Sequence, residues 1–341
     1  MPTSTMVETL IPIWQRVLQL SSIGVDDNFF EVGGDSALAL ALFNEIAQAC
    51  GRELPPVMIY HAPTISALAA VLEQSVPPRV PPLVHLKGGS AEPPLFITHG
   101  LGGSVMDFYQ VVKHIQTPHA IYGMQAKGID GAEEPSESIE DMARHSLDAV
   151  KQIQPRGPYL LVGYSLGGLV TLEMARQLTA EGEKVALLAM LDSYPEIRYL
   201  SFAQRARLLT RLATRRASTA MNLPVGDALA LMVRPTRRRS LTPRVSYQPP
   251  ADVSLTPAMQ RVRQSAYLAL TRYQPRFYPG RIKFVRAAVP TDFPADPAAV
   301  WAHLAGMFEV ETVPGDHLGI MTTHYEKLAS AISRYAEEAL R

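Results

Sequence analysis

Ser165 is placed where a serine could act as a nucleophile. It stands in the middle of Gly-Tyr-Ser-Leu-Gly at 163–167, after an apolar stretch at 159–162 and before a helical pattern that begins at Leu166. A serine between a strand and a helix, flanked by glycines, occupies a sharp turn that lifts its hydroxyl above the sheet. The spacing therefore predicts covalent catalysis by Ser165. The alternative interpretation is a glycine turn in which the serine has no catalytic role.

A serine nucleophile needs a base, and the base needs an acid that orients it. On a sheet of this kind the three groups follow in the order serine, acid, histidine. Asp192 directly follows an apolar stretch at 185–191, and Asp292 is the rival acid further along the chain. His317 lies in Pro-Gly-Asp-His-Leu-Gly, after the last predicted strand. We therefore expect Ser165, Asp192 and His317 to form the catalytic group.

Acyl transfer passes through an oxyanion, which preorganised N–H groups stabilise. One donor is expected to be the backbone amide of Leu166, directly after the nucleophile. The other is expected in the glycine-rich loop at 98–103, where the amide of Leu101 is the candidate. Other histidines, such as His99, precede the nucleophile and are interpreted as structural or surface residues.

Short apolar stretches alternate with amphipathic ones from Leu95 to the end of the chain. This alternation predicts a mostly parallel sheet covered by helices on both faces. A stretch at about 196–280 that contains several prolines interrupts this alternation and is predicted to be a helical insertion. The predicted strands are 95–98, 120–124, 159–162, 185–191, 282–285 and 308–313, and the predicted helices are 105–115, 139–153, 166–181 and 325–339. Residues 83–86 are a candidate first strand.

The first 75 residues carry a separate helical pattern. Apolar residues at helical spacing predict one helix at 6–19, a second from Ser36 to Cys50 and a last one from Thr64 to Leu72, with a short turn near 59–60. These segments predict a small four-helix bundle. Because a proline-rich stretch follows, the expected division is a bundle at 1–75, a linker at 76–82 and a larger domain at 83–341.

Composition sets outer bounds on the function. The chain has 341 residues, of which 47% are hydrophobic and 19% charged, and its net charge is zero. No global basic field favours nucleic acid or an anionic membrane as a partner. The single cysteine, Cys50, gives no basis for a disulfide or a cysteine-rich metal site, so no metal is expected. No apolar run has the length of a membrane span, and no signal-peptide pattern is present, so a cytoplasmic protein is expected.

The larger domain resembles the α/β-hydrolase fold and, more narrowly, the thioesterase domains that end nonribosomal peptide and polyketide synthetases. The resemblance rests on His-Gly-x-Gly-Gly at 99–103, Gly-Tyr-Ser-Leu-Gly-Gly at 163–168, the acid at Asp192 and Gly-Asp-His at 315–317. It covers about 83–341. It implies a serine hydrolase with an acyl-Ser165 intermediate and a helical lid formed by the insertion.

The stretch Asp-Asn-Phe-Phe-Glu-Val-Gly-Gly-Asp-Ser at 27–36 resembles the signature of peptidyl carrier domains of nonribosomal peptide synthetases. A serine that opens a helix is by itself normally an N-cap. The resemblance implies instead that Ser36 carries a covalent 4′-phosphopantetheine arm, whose thiol holds the growing chain as a thioester. Ala37 departs from the bulky residue that usually follows this serine. The implied partners are a phosphopantetheinyl transferase and upstream synthetase domains, either condensation and adenylation domains or a ketosynthase.

Together the two serines predict a terminal thioesterase that takes an acyl or peptidyl chain from the arm on Ser36 to Ser165. Release is expected by hydrolysis or by macrocyclisation, and the sequence does not choose between them. Three alternatives stay open: an editing thioesterase that clears stalled carriers, a hydrolase of small esters, and a carrier or docking module without catalytic activity. Whether the chain is part of a larger synthetase or free-standing also stays open.

The inserted stretch is rich in arginine between residues 198 and 244, where Asp227 is the only acidic residue. The plain interpretation is a solvated helix face. A second hypothesis is that Arg237, Arg238 and Arg239 guide the acidic carrier surface, or an anionic chain, toward Ser165 through salt-sensitive steering.

Overall fold

The structure is a computed structural model, and it describes residues 4–75, 79–221, 255–289 and 293–341. The strands in these residues are β1 (Leu83–Lys87), β2 (Ala91–Thr98), β3 (His119–Met124), β4 (Tyr159–Tyr164), β5 (Val185–Leu191), β6 (Tyr278–Ala287) and β7 (Ala305–Val313). They form one sheet in the order β1-β3-β2-β4-β5-β6-β7. β1 runs antiparallel to β3, and all other neighbours are parallel. The predicted mostly parallel sheet is confirmed.

Helices cover both faces of this sheet and form the N-terminal unit. The α-helices of the described residues are α1 (Ser4–Leu18), α2 (Ser36–Cys50), α3 (Ile65–Leu72), α4 (Tyr109–His114), α5 (Ile139–Ile153), α6 (Leu166–Ala180), α7 (Phe202–Met221), α8 (Pro257–Arg272), α9 (Pro297–Trp301), α10 (Gly319–Thr322) and α11 (Tyr325–Ala339). Short 3₁₀ helices lie at Pro56–Tyr60, Val105–Phe108, Ile197–Tyr199 and Ala302–Leu304.

The central strands are continuous apolar runs because both of their faces are covered. Every residue of β4 is buried. Leu161 packs in the core that includes α5 and α6, whereas its neighbours Leu160 and Val162 pack in the core that includes α4 and α11. Each such leucine stabilises the fold by about 1.5–3 kcal/mol relative to an exposed one. The sheet is therefore a rigid platform, and its carboxyl edge can hold side chains in fixed positions.

The N-terminal unit packs around an apolar cluster built mainly from α1, α2, α3 and the 3₁₀ helix Pro56–Tyr60, to which Val84, Val105 and Met106 of the sheet domain also belong. Trp14 and Phe29 lie fully buried in it and meet edge to face, with ring centroids 5.3 Å apart. The short turn predicted near 59–60 is this 3₁₀ helix, which begins at a proline and is too short for more than one turn. It completes the predicted four-helix bundle.

The structure departs from the sequence predictions mainly at element ends. Strand β2 begins at Ala91 rather than Leu95. The prediction began too late because Pro93 and Pro94 are unfavourable in a strand, although this stretch pairs irregularly with β3. The helix predicted at 105–115 is a 3₁₀ helix followed by α4. Strand β6 begins at Tyr278, inside the range expected for the insertion, and α7 and α8 are the helices that the structure describes within that range.

Some predictions concern residues that the structure does not describe. The rival acid Asp292 and the arginines Arg237, Arg238 and Arg239 lie outside the described residues, as does part of the expected linker. Within the described ranges, no helix is long and apolar enough to cross a membrane. The same ranges contain no group of three or more His, Cys, Asp or Glu side chains arranged to hold a metal ion.

Asp107 is a half-buried carboxylate at the contact between the N-terminal unit and the sheet domain. It lies in the 3₁₀ helix Val105–Phe108 and makes no hydrogen bond or ion pair with the described residues. Burial raises the pKa of Asp107 from 3.8 to about 6. The folded state therefore disfavours the charged form of Asp107. As the pH rises from about 4 through about 6, ionisation of this carboxyl lowers the free energy of unfolding.

Replacing Asp107 with Asn should raise the melting temperature at pH 8, because the variant has no carboxylate to ionise in a desolvated position. Near pH 3, below the ordinary pKa of 3.8, the Asp107 carboxyl of the parent is largely protonated in both folded and unfolded states, so the two proteins should melt at nearly the same temperature. Thermal melts of the full chain at both pH values check this, with the exposed Asp148→Asn on α5 as the matched control. A difference of equal size at both pH values would contradict the explanation.

Candidate active site

Ser165 lies at the sharp turn between β4 and α6 that the sequence predicts. Its backbone has φ 54° and ψ −118°, a conformation that costs a non-glycine residue about 1–3 kcal/mol. Three hydrogen bonds hold the turn in place: Ser165 N–H donates to Leu191 O at 2.9 Å, and Ser165 O accepts from Gly168 N at 3.2 Å and from the Ser193 hydroxyl at 2.5 Å. Hydrogen bonds to β5 and to the buried side chain of Ser193 therefore stabilise the strained turn.

The glycines of the motif are required by close packing. A Cβ on Gly163 would lie 2.2 Å from Gly167 O, and a Cβ on Gly167 would lie 2.4 Å from His99 O. Any side chain at either position would push the helix away from the strand. Gly100 also approaches the nucleophile, since a Cβ there would stand 3.7 Å from Ser165 Cβ.

His317 and Asp192 complete a hydrogen-bonded line that starts at the serine. The Nε2 atom of His317 lies 3.1 Å from Ser165 Oγ, and its Nδ1 atom lies 2.8 Å from Asp192 Oδ2. With Nδ1 donating to the carboxylate, Nε2 is free to accept the serine proton. The three residues thus meet as the sequence predicts, and their arrangement suits serine-directed acyl transfer.

Backbone geometry fixes the carboxylate of Asp192. The residue is 3% exposed and has φ 45°. Its N–H donates to Val285 O at 2.7 Å, and its Oδ1 accepts from Ala287 N at 3.2 Å. Because both oxygens have a partner, the carboxylate can present only one edge to His317.

Two aromatic residues that the sequence analysis missed enclose the imidazole of His317. The Tyr164 ring stacks on it with centroids 4.9 Å apart and an interplanar angle of 22°, and the Tyr164 hydroxyl donates to His317 O at 2.7 Å. Phe293 lies 4.9 Å from the imidazole at 59°. The two rings therefore restrict the orientation of the imidazole. The tyrosine inside the Gly-x-Ser-x-Gly motif was the available signal.

Ser193 and Trp301 form a second support that sequence reasoning did not find. Ser193 is fully buried, and its hydroxyl binds the carbonyl of Ser165. Its own carbonyl accepts from the indole N–H of Trp301, in α9, at 3.0 Å. The position of Ser193 directly after the candidate acid was the only sequence signal for this support. No sequence pattern indicates that Trp301 lies at this site.

The two candidate oxyanion donors, Leu166 and Leu101, are close in sequence to residues of the Ser165 turn and of the loop that approaches it. Leu166 is the first residue of α6, so its N–H has no acceptor inside that helix. Leu101 follows Gly100, which approaches Ser165 as described above. His99, at the start of this loop, is buried, and its Nδ1 lies 2.7 Å from Gly100 O. Burial lowers the pKa of His99 to about 4, so it is a neutral structural residue here.

Ser36, the expected attachment residue, lies at the first position of α2. It is not the N-cap: Asp35 has that role, and its Oδ1 accepts from Leu38 N at 2.9 Å. The loop before it needs its glycines, since Gly33 has φ +104° and a Cβ on Gly34 would lie 2.4 Å from the Phe29 ring. The Ser36 hydroxyl makes no hydrogen bond with the described residues. A half-buried hydroxyl with no capping duty fits covalent attachment of a phosphopantetheine arm.

Comparison with protein families defines the class. The family described as "Thioesterase domain" matches residues 93–335, and "Phosphopantetheine attachment site" matches residues 8–72. The first match covers more than half of the chain, so the chain belongs to the thioesterase domain family, whose members are serine hydrolases. A phosphopantetheine attachment domain precedes that domain.

The relatives of this chain include a nonribosomal peptide synthase. The chain is 40% identical over 195 residues to a dimodular nonribosomal peptide synthase of Bacillus subtilis, covering 57% of the chain and 8% of that protein. It is 36% identical over 190 residues to an indigoidine synthase of Dickeya dadantii, covering 56% and 13%. The chain thus spans about a tenth of the length of these relatives.

Solved structures share the fold. The four-domain nonribosomal peptide synthetase AB3403 matches with a TM-score of 0.60 and 23% identity, over 98% of this chain and 26% of that one. The type II thioesterase BorB from the borrelidin biosynthetic cluster matches with a TM-score of 0.52 and 17% identity, over 75% and 96%. At these identities the likeness concerns the fold.

Replacing Asp192 with Asn should lower hydrolysis of a small soluble thioester by about four orders of magnitude, because the amide stabilises the wrong imidazole tautomer. Steady-state rates of the purified full chain, with melting temperature as the folding control, check this. Asp292→Asn is the comparison variant and should keep nearly the parent rate. If Asp292→Asn were the crippling change, Asp192 would not be the acid.

Proposed function

We propose that this chain is a terminal thioesterase that releases an acyl or peptidyl chain from a carrier-bound thioester through an acyl-Ser165 intermediate. The observation that carries the proposal is the hydrogen-bonded line from Ser165 through His317 to Asp192 in a chain that also holds a carrier domain. The arm attached at Ser36 would supply the thiol that holds the acyl group as a thioester. The domains we propose are a carrier at 1–75, a linker at 76–82 and a thioesterase at 83–341.

The first half of the reaction acylates the serine. Ser165 Oγ attacks the thioester carbonyl while His317 Nε2 takes its proton, and the carboxylate of Asp192 stabilises the imidazolium. The carbon–sulfur bond then breaks, and His317 returns the proton to the departing thiol. Phe293 and Tyr164 keep the imidazole in the orientation that both transfers need.

The N–H groups of Leu101 and Leu166 are the proposed oxyanion donors for both tetrahedral intermediates. Loss of one such donor costs about 3 kcal/mol in other serine hydrolases. In the second half, His317 takes a proton from the attacking nucleophile and gives it to Ser165 as the ester bond breaks. Attack by water releases a linear acid, and attack by a nucleophile within the acyl chain releases a macrocycle.

Two other functions fit the observations less well. An editing thioesterase acts on carriers of other chains, whereas here a carrier domain is fused to the hydrolase. An inactive docking module has no need of a complete serine, histidine and aspartate line held by strained backbone. The proposed partners are a phosphopantetheinyl transferase, which would modify Ser36, and upstream synthetase domains: condensation and adenylation domains, or a ketosynthase.

Ser165→Ala should lower release by at least about 10⁴-fold, because the nucleophile is lost while the binding residues stay. Intact-mass spectrometry of the full chain loaded with an acyl group should show the acyl group remaining on Ser36. A serine-directed fluorophosphonate should label the parent and not the variant. Rapid release by Ser165→Ala would contradict the acyl-serine pathway.

Ser36→Ala should abolish turnover of carrier-bound substrate and keep hydrolysis of soluble thioesters, because the two serines lie in separate domains. Mass spectrometry after treatment with a phosphopantetheinyl transferase should show the added arm in the parent alone. The exposed Ser90→Ala is the matched control and should be modified like the parent. Equal loss of both activities in Ser36→Ala would refute the two-serine scheme.

A further inference from the structure

The carrier and thioesterase domains share one apolar core in this structure. Val84 of β1 and Val105 and Met106 of the 3₁₀ helix Val105–Phe108 are buried, each at most 5% exposed, in the same cluster as the carrier core. The carrier contributes its 3₁₀ helix Pro56–Tyr60, which contacts both of these elements. The carrier is thus seated on the edge of the thioesterase domain next to β1.

Stacked aromatic rings form the rim of this contact. Phe30, in the carrier signature, stacks on Tyr109 at the start of α4, with centroids 4.8 Å apart and an interplanar angle of 22°. Phe30 also packs against Tyr60 of the carrier, with ring centroids 4.8 Å apart and an interplanar angle of 35°. Stacked pairs of this kind add binding energy beyond the area they bury. Tyr109 of the thioesterase domain therefore joins Phe30 and Tyr60 of the carrier in one cluster of aromatic rings.

Tyr109 also lies close to the attachment residue. Burial, followed by the negative charge of Asp35, raises the pKa of the Tyr109 hydroxyl. Asp35 is the N-cap of α2 and directly precedes Ser36. The contact therefore brings the start of α2, where the arm attaches, to the start of α4.

The same segment leads to the catalytic site. Phe108 directly precedes Tyr109, is fully buried, and meets Tyr164 edge to face with centroids 6.3 Å apart. Tyr164 in turn stacks on His317 and precedes Ser165. Residues 99–104, which include the candidate oxyanion loop, run directly into this segment. The surface that receives the carrier is thus joined by side-chain packing to the residues around the nucleophile.

We propose that the stacked pair Phe30–Tyr109 is the docking contact that holds the carrier in the orientation from which Ser36 delivers its acyl group to Ser165. The inference rests on the proposed function and adds the surface that this function uses. The partner that this face of α4 fits is the carrier domain of the same chain. Tyr109 and Phe30 act on the reaction by positioning and touch no reacting atom.

A first test uses the unmodified full chain and hydrogen–deuterium exchange. Each variant is read in the opposite domain: Tyr109→Ala in residues 56–60 of the carrier, and Phe30→Ala in residues 105–108 of the thioesterase. Both variants should exchange faster than the parent in those segments, whereas Tyr109→Phe, which keeps the ring, should match the parent. Unchanged exchange in both opposite segments would overturn the docking contact, whatever the activity.

A second test measures acyl transfer in the full chain after a phosphopantetheinyl transferase has loaded Ser36 with an acetylated arm. Mass spectrometry gives the loaded fraction, and only its decay is followed. Tyr109→Ala and Phe30→Ala should each slow transfer by about tenfold, and the double variant should be no slower than the slower single variant, because both remove one contact. Tyr109→Leu gives a second variant if Tyr109→Ala folds poorly.

Controls separate this proposal from the proposed function. Fluorophosphonate labelling of Ser165 and hydrolysis of a soluble thioester should be unchanged in every docking variant. Transfer at or above the parent rate, or a double variant slowed by the product of the two single effects, would overturn the docking role. A parent chain that hydrolyses no soluble thioester would refute the proposed function instead, and the exchange measurement would still decide the contact.

Discussion

The backbone turn at Ser165 is a strained conformation, and the site depends on the bonds that maintain it. Residues with φ > 0 and a side chain persist only where their surroundings over-determine them. Here the amide is bound by Leu191 of β5 and the carbonyl by the buried hydroxyl of Ser193, which Trp301 holds from another element. Glycines at 163 and 167 let helix and strand approach closely enough for the turn to form. A nucleophile in this position is therefore a property of the whole sheet edge.

The parallel register of β4 and β5 brings Asp192 close to Ser165. Tyr164 pairs with Leu191 across β4 and β5, so the next residues on the two strands, Ser165 and Asp192, leave the sheet side by side. Asp192 turns at φ 45° and binds β6 through Val285. The histidine arrives on the loop after β7. Three segments distant in sequence thus meet because their strands share one edge, where ligands of open α/β sheets commonly bind.

The carrier domain adds a constraint of a different kind. Under the proposed function, Ser36 has to be reachable by a modifying enzyme and by upstream domains, so the contact of the carrier with the thioesterase domain has to be reversible. The contact combines stacked aromatic rings with the buried side chains of Val84, Val105 and Met106. Asp107 lies in the same 3₁₀ helix as Val105 and Met106, and burial raises the pKa of its carboxyl to about 6. Under the proposed function, acyl delivery and carrier release both use this surface.

The sequence by itself determined the class of fold and the thioesterase family. The bounds of β5, α5 and α11 were predictable to the residue, because apolar runs and 3.6-residue periods are local signals. The proximity of Ser165, Asp192 and His317 was predictable because all three follow strand ends at one edge of the sheet, whereas their catalytic roles, like the attachment role of Ser36, stay predictions. Only the tertiary structure decided which groups support them. Tyr164 against His317, Trp301 on Ser193 and Phe30 on Tyr109 are contacts between residues distant in the chain or in different domains, and no local pattern encodes them. Proline obscured the start of β2 for the opposite reason, since a local breaker was overridden by pairing with β3.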